Sequence, residues 1–178
     1  MTFLYFAFGS NMLSNRLIAR CPSAKLVGKA FVQDHALEFT KKSVDGSGKA
    51  TLIERTGVIT PGVLFEIETA ERDALDRFEG AGKGYDRIDT FEVVTGHDPV
   101  TAATYLASES QADLLPFDWY LATVVAGSLE HGLGEEHAAK LRATRHKPDD
   151  RDHRKSRVEA IEALRAHGHS NYLDLLDS

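Results

Sequence analysis

The stretch FLYFAFGSNML, Phe3 to Leu13, runs six apolar residues directly into Gly-Ser-Asn. Apolar on both faces and rich in aromatics, Thr2 to Phe8 reads as a strand buried in the middle of a sheet. A buried strand that ends at Gly9 and turns toward a helix leaves successive backbone N–H groups unpaired and pointing one way. Such a turn is a ready site for a carboxylate or phosphate, and glycine lets the ligand approach the backbone closely. A tight turn that only needs positive φ at the glycine accounts for the same residues.

Working outward, Ser14 is positioned to cap a short helix carrying Leu17, Ile18 and Cys21 and closed by Pro22. Lys25 to Lys42 reads as extended, Asp45 to Gly48 as a turn, and Ala50 to Ile53 and Gly62 to Ile67 as two further strands. Thr69 is a plausible cap for a helix from Ala70 to about Phe78, with Ala74, Leu75 and Phe78 as its apolar stripe and Gly80 as its stop. Tyr85 to Val94 and Thr101 to Ala107 form two strands around a turn at Gly96 to Pro99. Pro116 to Gly132 is a helix with Tyr120, Val124, Val125 and Leu129 on one face, and a second helix starts at Glu135. The pattern is α+β, a sheet or small barrel with helices packed around it.

After Lys147 the character changes. Pro148 to Arg157 holds seven formal charges in ten residues and reads as a solvated connection to a last helix with Val158, Ile161 and Leu164 inward. With no internal repeat, the chain is expected to form one unit.

At 178 residues, 42% hydrophobic and 27% charged, the chain has the composition of a globular domain that buries roughly 70% of its unfolded surface. A formal charge of −6 and the lack of a Lys/Arg stripe argue against nucleic acid and point to small molecules. The single cysteine, Cys21, forms no intrachain disulfide and reads as a small buried hydrophobe. No run approaches the roughly 20 apolar residues of a membrane helix. The N-terminus lacks the basic start of a signal peptide, so a cytoplasmic protein is expected.

The second chemically odd stretch is Asp76 to Arg87, DRFEGAGKGYDR. GAGKG lacks the spacing and the following Ser or Thr of a phosphate loop, and it follows a helix instead of preceding one. Glu79 sits where the helix macrodipole is negative. If it also turns inward behind Phe78, dipole and desolvation together raise its pKa, as a proton-shuttling carboxylate requires. A surface glutamate paired with Arg77 or Lys83 is the plainer reading. The eight histidines show no metal-ligand spacing, so no metal is expected. There is no Gly-x-Ser-x-Gly elbow. Tyr85 and Tyr120 either offer phenol donors to a pocket or cap the core.

Together, the Gly-Ser-Asn turn and the Glu-Gly step resemble the γ-glutamylcyclotransferase family. The likeness spans Thr2 to Lys147, roughly four fifths of the chain, through FLYFAFGSNML, PSAKLVGKAFVQDHALEF, GVLFEI with LDRFEG, and VAGSLEHGLGEEHAAKL. It implies a small mixed β-barrel with peripheral helices, a catalytic unit over 1–147 and a C-terminal extension over 148–178 on the same domain. It also implies a pocket that needs no cofactor. By motif match, Gly9, Ser10, Asn11 and Met12 would hold the substrate's α-carboxylate through backbone amides, and Glu79 would be the acid/base. Tyr85 and Tyr120 would line the pocket, with Phe8 standing where the family's motif begins with tyrosine. The implied reaction cyclises a γ-glutamyl group to 5-oxoproline and releases an amine. The leaving group is left open between an amino acid, a simple amine, glutathione and another γ-glutamyl metabolite. A non-catalytic sensor of a carboxylate metabolite is the alternative from another class. Oligomeric state is not legible, and a monomer is slightly favoured because no large apolar stripe is left unassigned.

Overall fold

The computed structural model describes residues 1–96 and 98–177. Five strands close into a barrel in the order β1-β3-β2-β4-β5: β1 Thr2–Ala7, β2 Lys25–Lys42, β3 Gly48–Glu68, β4 Tyr85–Thr95 and β5 Asp98–Ala107. Neighbours run antiparallel except β1 and β5, whose parallel pairing at Tyr5 and Ala103 closes the ring. The apolar first strand is therefore paired on both sides, with Tyr5, Phe6 and Ala7 buried. Part of the turn expected between β4 and β5, at His97, lies outside the described residues; β5 itself begins at Asp98, three residues earlier than expected.

The two strands expected at Ala50–Ile53 and Gly62–Ile67 are one continuous strand, β3. The intervening Gly57 and Pro61 do not break it. Pairing steps from Gln33–Ile59 to His35–Glu54 across a bulge, where the Gly57 N–H donates to the Asp34 carboxylate at 2.7 Å. Pro61 pairs in register with Phe31.

Among the described residues five α-helices surround the barrel: α1 Ser14–Arg20, α2 Arg72–Glu79, α3 Asp118–Glu130, α4 Glu135–Arg142 and α5 Lys155–Ala166. Ser14 is not a cap but the first residue of α1; its amide donates to Glu130 Oε2 at 3.0 Å. A short 3-10 turn, Thr69–Glu71, precedes α2, so Thr69 does not cap that helix either. Helix α3 is buried all round from Asp118 to Ser128, because α4 and α5 pack on it from outside; only Leu129 of the expected face is partly exposed.

The C-terminal segment is less solvated than its charge suggested. Asp149 is buried, accepting from the Trp119 indole N–H at 3.0 Å and from Arg154 Nε at 2.7 Å and Nη2 at 3.2 Å. Helix α5 packs on α1 and α3 through Ala160, Ala163 and Leu164, while Val158 faces solvent. Among the described residues no helix is long and apolar enough to cross a membrane.

Candidate active site

The end of β1, the 3-10 turn Ser10–Met12 that follows it and the end of α2 meet in one cleft. Gly9 has φ −117, so positive φ is not why glycine stands there; a Cβ would lie 3.0 Å from Ala50 Cβ and 3.5 Å from the Tyr120 hydroxyl. The amides of Ser10 and Asn11 open the turn and by position have no acceptor within it. The next amide does: Met12 N–H donates to Gly9 O at 3.0 Å. Met12 is therefore not part of the cleft, and its side chain is buried against α3. His131 Nε2–H donates to the Met12 carbonyl at 2.9 Å and pins the far end of the turn.

Glu79 is the last residue of α2, and Gly80 (φ 72) turns the chain away in the left-handed region. Leu75, one turn earlier on the same face, is fully buried, and this carries Glu79 inward. Phe78 takes the opposite role to the one expected. Its ring is half exposed and supports the Arg20 guanidinium at 5.3 Å. The Glu79 side chain is 17% exposed, and its partner is neither Arg77 nor Lys83 but Arg20, at 3.6 Å. Asn11 joins the two motifs: its Nδ2 donates to Glu79 Oε1 at 2.5 Å and to the Tyr5 hydroxyl at 3.1 Å, while its Oδ1 accepts from Arg20 at 2.9 Å. Burial raises the Glu79 pKa above its ordinary 4.5, against the opposing pull of Arg20, Arg16, Asn11 and Lys41.

Phe8, Gly9, Ser10, Asn11, Glu79, Tyr85 and Tyr120 all line this cleft, as do Tyr5 and Tyr105, which sequence reasoning missed. The hydroxyl absent at position 8 has a counterpart in Tyr5, bonded to Asn11. The other missed residues are cations. Arg16 and Arg20 stand four apart on α1 and so share a face, a spacing legible in the sequence once α1 is known to follow the turn. A larger groove of about 630 Å³ lies between the β2–β3 hairpin and α4, but it holds neither the turn nor an inward carboxylate. Among the described residues no cluster of three metal-ligating side chains occurs.

Comparison with known proteins gives a consistent picture. Residues 61–141, which include Glu79, Tyr85 and Tyr120, match the AIG2-like family. The γ-glutamylcyclotransferases of Mus musculus and Homo sapiens are each 32% identical to the chain, covering 80% of it and 78% of their own lengths. A solved γ-glutamyl cyclotransferase superposes with a TM-score of 0.79 at 29% identity over 91% of this chain and 99% of that one. A crystal structure of a Homo sapiens protein gives 0.78 at 30% identity, over 90% of this chain and 98% of the other.

Proposed function

The chain belongs to the γ-glutamylcyclotransferase family and has the activity for which that family is named, and on that premise we propose that its cleft takes a γ-glutamyl amino acid, with Glu79 moving the protons. The α-carboxylate of the glutamyl group lies against the free amides of the Gly9–Asn11 turn, and its α-ammonium faces Glu79. The observation that carries this reading is the Asn11–Glu79 hydrogen bond, which ties the anion cradle to a buried carboxylate 68 residues away.

The α-nitrogen attacks the γ-carbonyl carbon, forming the lactam C–N bond as the amide C–N bond breaks. The attacking nitrogen gives up two protons in all, and the departing nitrogen gains two. One carboxylate between them carries both. Nucleophile and carbonyl are already tethered, so the protein mainly fixes a near-attack conformer, a contribution of up to roughly 7 to 11 kcal/mol. Burial makes Glu79 a stronger base toward the ammonium, the proton it takes up is then passed to the leaving nitrogen, and Arg20 and Asn11 hold its carboxylate in place. Residues 1–147 supply this chemistry, and 148–178 pack on the same unit.

The test is 5-oxoproline release from γ-glutamyl-alanine by wild type and Glu79→Gln. The expected loss in kcat is on the order of 10²- to 10⁴-fold, with binding of the dipeptide retained by calorimetry. Because the base must be ionised, wild-type kcat/KM should rise with pH through a pKa above 4.5, and that limb should vanish in the variant. Binding without turnover by the wild type would overturn the reaction in favour of metabolite sensing.

A further inference from the structure

Beyond Glu79 the cleft opens into an outer chamber of about 280 Å³ that shares Ser10, Glu79, Tyr85 and Tyr120 with it. With the glutamyl group seated on the Gly9–Asn11 turn, this chamber is the space left for the other side of the scissile amide. Its walls are strongly cationic. Five basic side chains line it, Arg16, Arg20, Lys41, Lys49 and Arg154, against two acids, Asp45 and Glu79.

Three of the five cations are already matched: Arg20 with Glu79, Lys49 with Asp45 at 3.2 Å, and Arg154 with the nearby Asp149 at 2.7 Å. Among the described residues, Arg16 and Lys41 make no such ion pair. Arg16 is only 5% exposed, and its Nε has no hydrogen-bond partner. Lys41 is 8% exposed and rests over the Tyr85 ring at 4.7 Å. Burial pulls both below their ordinary pKa values, Arg16 to about 9, against the longer-range attraction of Glu79 on both and of Asp45 on Lys41. Two buried cations without an ion pair of their own are costly in a ligand-free protein and become favourable when a ligand brings the charge. The glutamyl group does not bring it. Its own carboxylate and ammonium cancel, and the turn and Glu79 already receive them.

We propose that the leaving half of the substrate carries two carboxylates, so that the preferred substrate is the γ-glutamyl derivative of an acidic amino acid, with Arg16 and Lys41 as the specificity-determining residues. This rests on the reading of the cleft given above.

The test compares kcat/KM for γ-glutamyl-glutamate and γ-glutamyl-glutamine, which differ by one carboxylate against an amide of the same shape. Wild type should prefer the former by about 10- to 100-fold, the range for a hydrogen bond to a charged group. Arg16→Gln and Lys41→Gln should each reduce that preference by about tenfold. The ratio is taken within one preparation, so partial misfolding of a variant leaves it unchanged. Equal use of the two peptides by wild type, or variants that slow both alike, would overturn the proposal while leaving the cyclotransferase reading intact. No 5-oxoproline from these peptides or from γ-glutamyl-alanine would overturn both.

Discussion

Four tyrosine hydroxyls line the cleft, and they differ in where their protons go. Tyr85 donates to the Ala50 carbonyl at 2.6 Å, and Tyr105 donates to Asp76 at 2.6 Å. Tyr120 instead accepts from the Ala50 N–H at 3.1 Å, and Tyr5 accepts from Asn11, so each keeps its own proton for another acceptor. Burial pushes the Tyr120 pKa up to about 12, which holds it as a neutral donor across the working pH range. A donor of this kind stabilises the oxyanion that develops when the γ-carbonyl is attacked. Tyr120→Phe should therefore lower kcat on the order of 100-fold. Tyr85→Phe should cost about 1 kcal/mol of stability and change kcat much less. Steady-state kinetics with urea unfolding separates the two, and equal losses of kcat would sink the distinction.

At the scale of elements, the Gly-Ser-Asn turn depends on a helix more than a hundred residues away. A Cβ at Gly127 would stand 2.6 Å from Met12 Cβ and 2.7 Å from Leu13 N, so α3 meets the turn only because that residue is glycine. Gly127→Ala should destabilise the fold by about 1 to 3 kcal/mol and raise KM for γ-glutamyl-alanine as the turn shifts; an unchanged KM would show that the cradle tolerates displacement. Nothing in AGS at Ala126–Ser128 reveals this, because the neighbour lies far away in sequence. Local pattern did expose β1, the β4–β5 pair and both late helices, where periodicity and stop residues agree. It failed where a distant partner overrides the local preference. The apolar stripe places Phe78 in the core and the plainer reading leaves Glu79 on the surface, but Arg20 engages both and reverses their places. Gly57 and Pro61 look like breaks in β3 until Asp34 and Phe31 are seen opposite them.

Over the whole molecule, the Gly-Ser-Asn turn and the Glu-Gly step are legible because each is a short motif, whereas the cations of the outer chamber, beyond the Arg16–Arg20 spacing, are not. They come from α1, β2, β3 and the C-terminal segment, and only the closed barrel gathers them. The charged segment after Lys147 belongs to this assembly through Asp149, which burial pushes up in pKa but Arg154 and the Arg151 amide hold below the usual carboxylate range. Asp149→Ala removes the acceptor of the buried Trp119 indole N–H and the ion-pair partner of Arg154, and should lower the unfolding free energy by about 1 to 3 kcal/mol. Trp119 is the single tryptophan, so its fluorescence follows the transition. A variant that unfolds at wild-type urea concentration would mark residues 148–178 as an appendage.

The parallel pairing of Tyr5 with Ala103 has a consequence for synthesis on the ribosome. The most apolar segment of the chain is made first, yet one of its two strand partners emerges about 100 residues later, roughly 5 to 20 s at ordinary elongation rates. Until then Phe3 to Phe8 is a strand with an open edge, the kind of surface that pairs with other nascent chains. The same residues that later carry the Gly-Ser-Asn turn into the barrel are thus the ones left with an unpaired edge while the protein is being made.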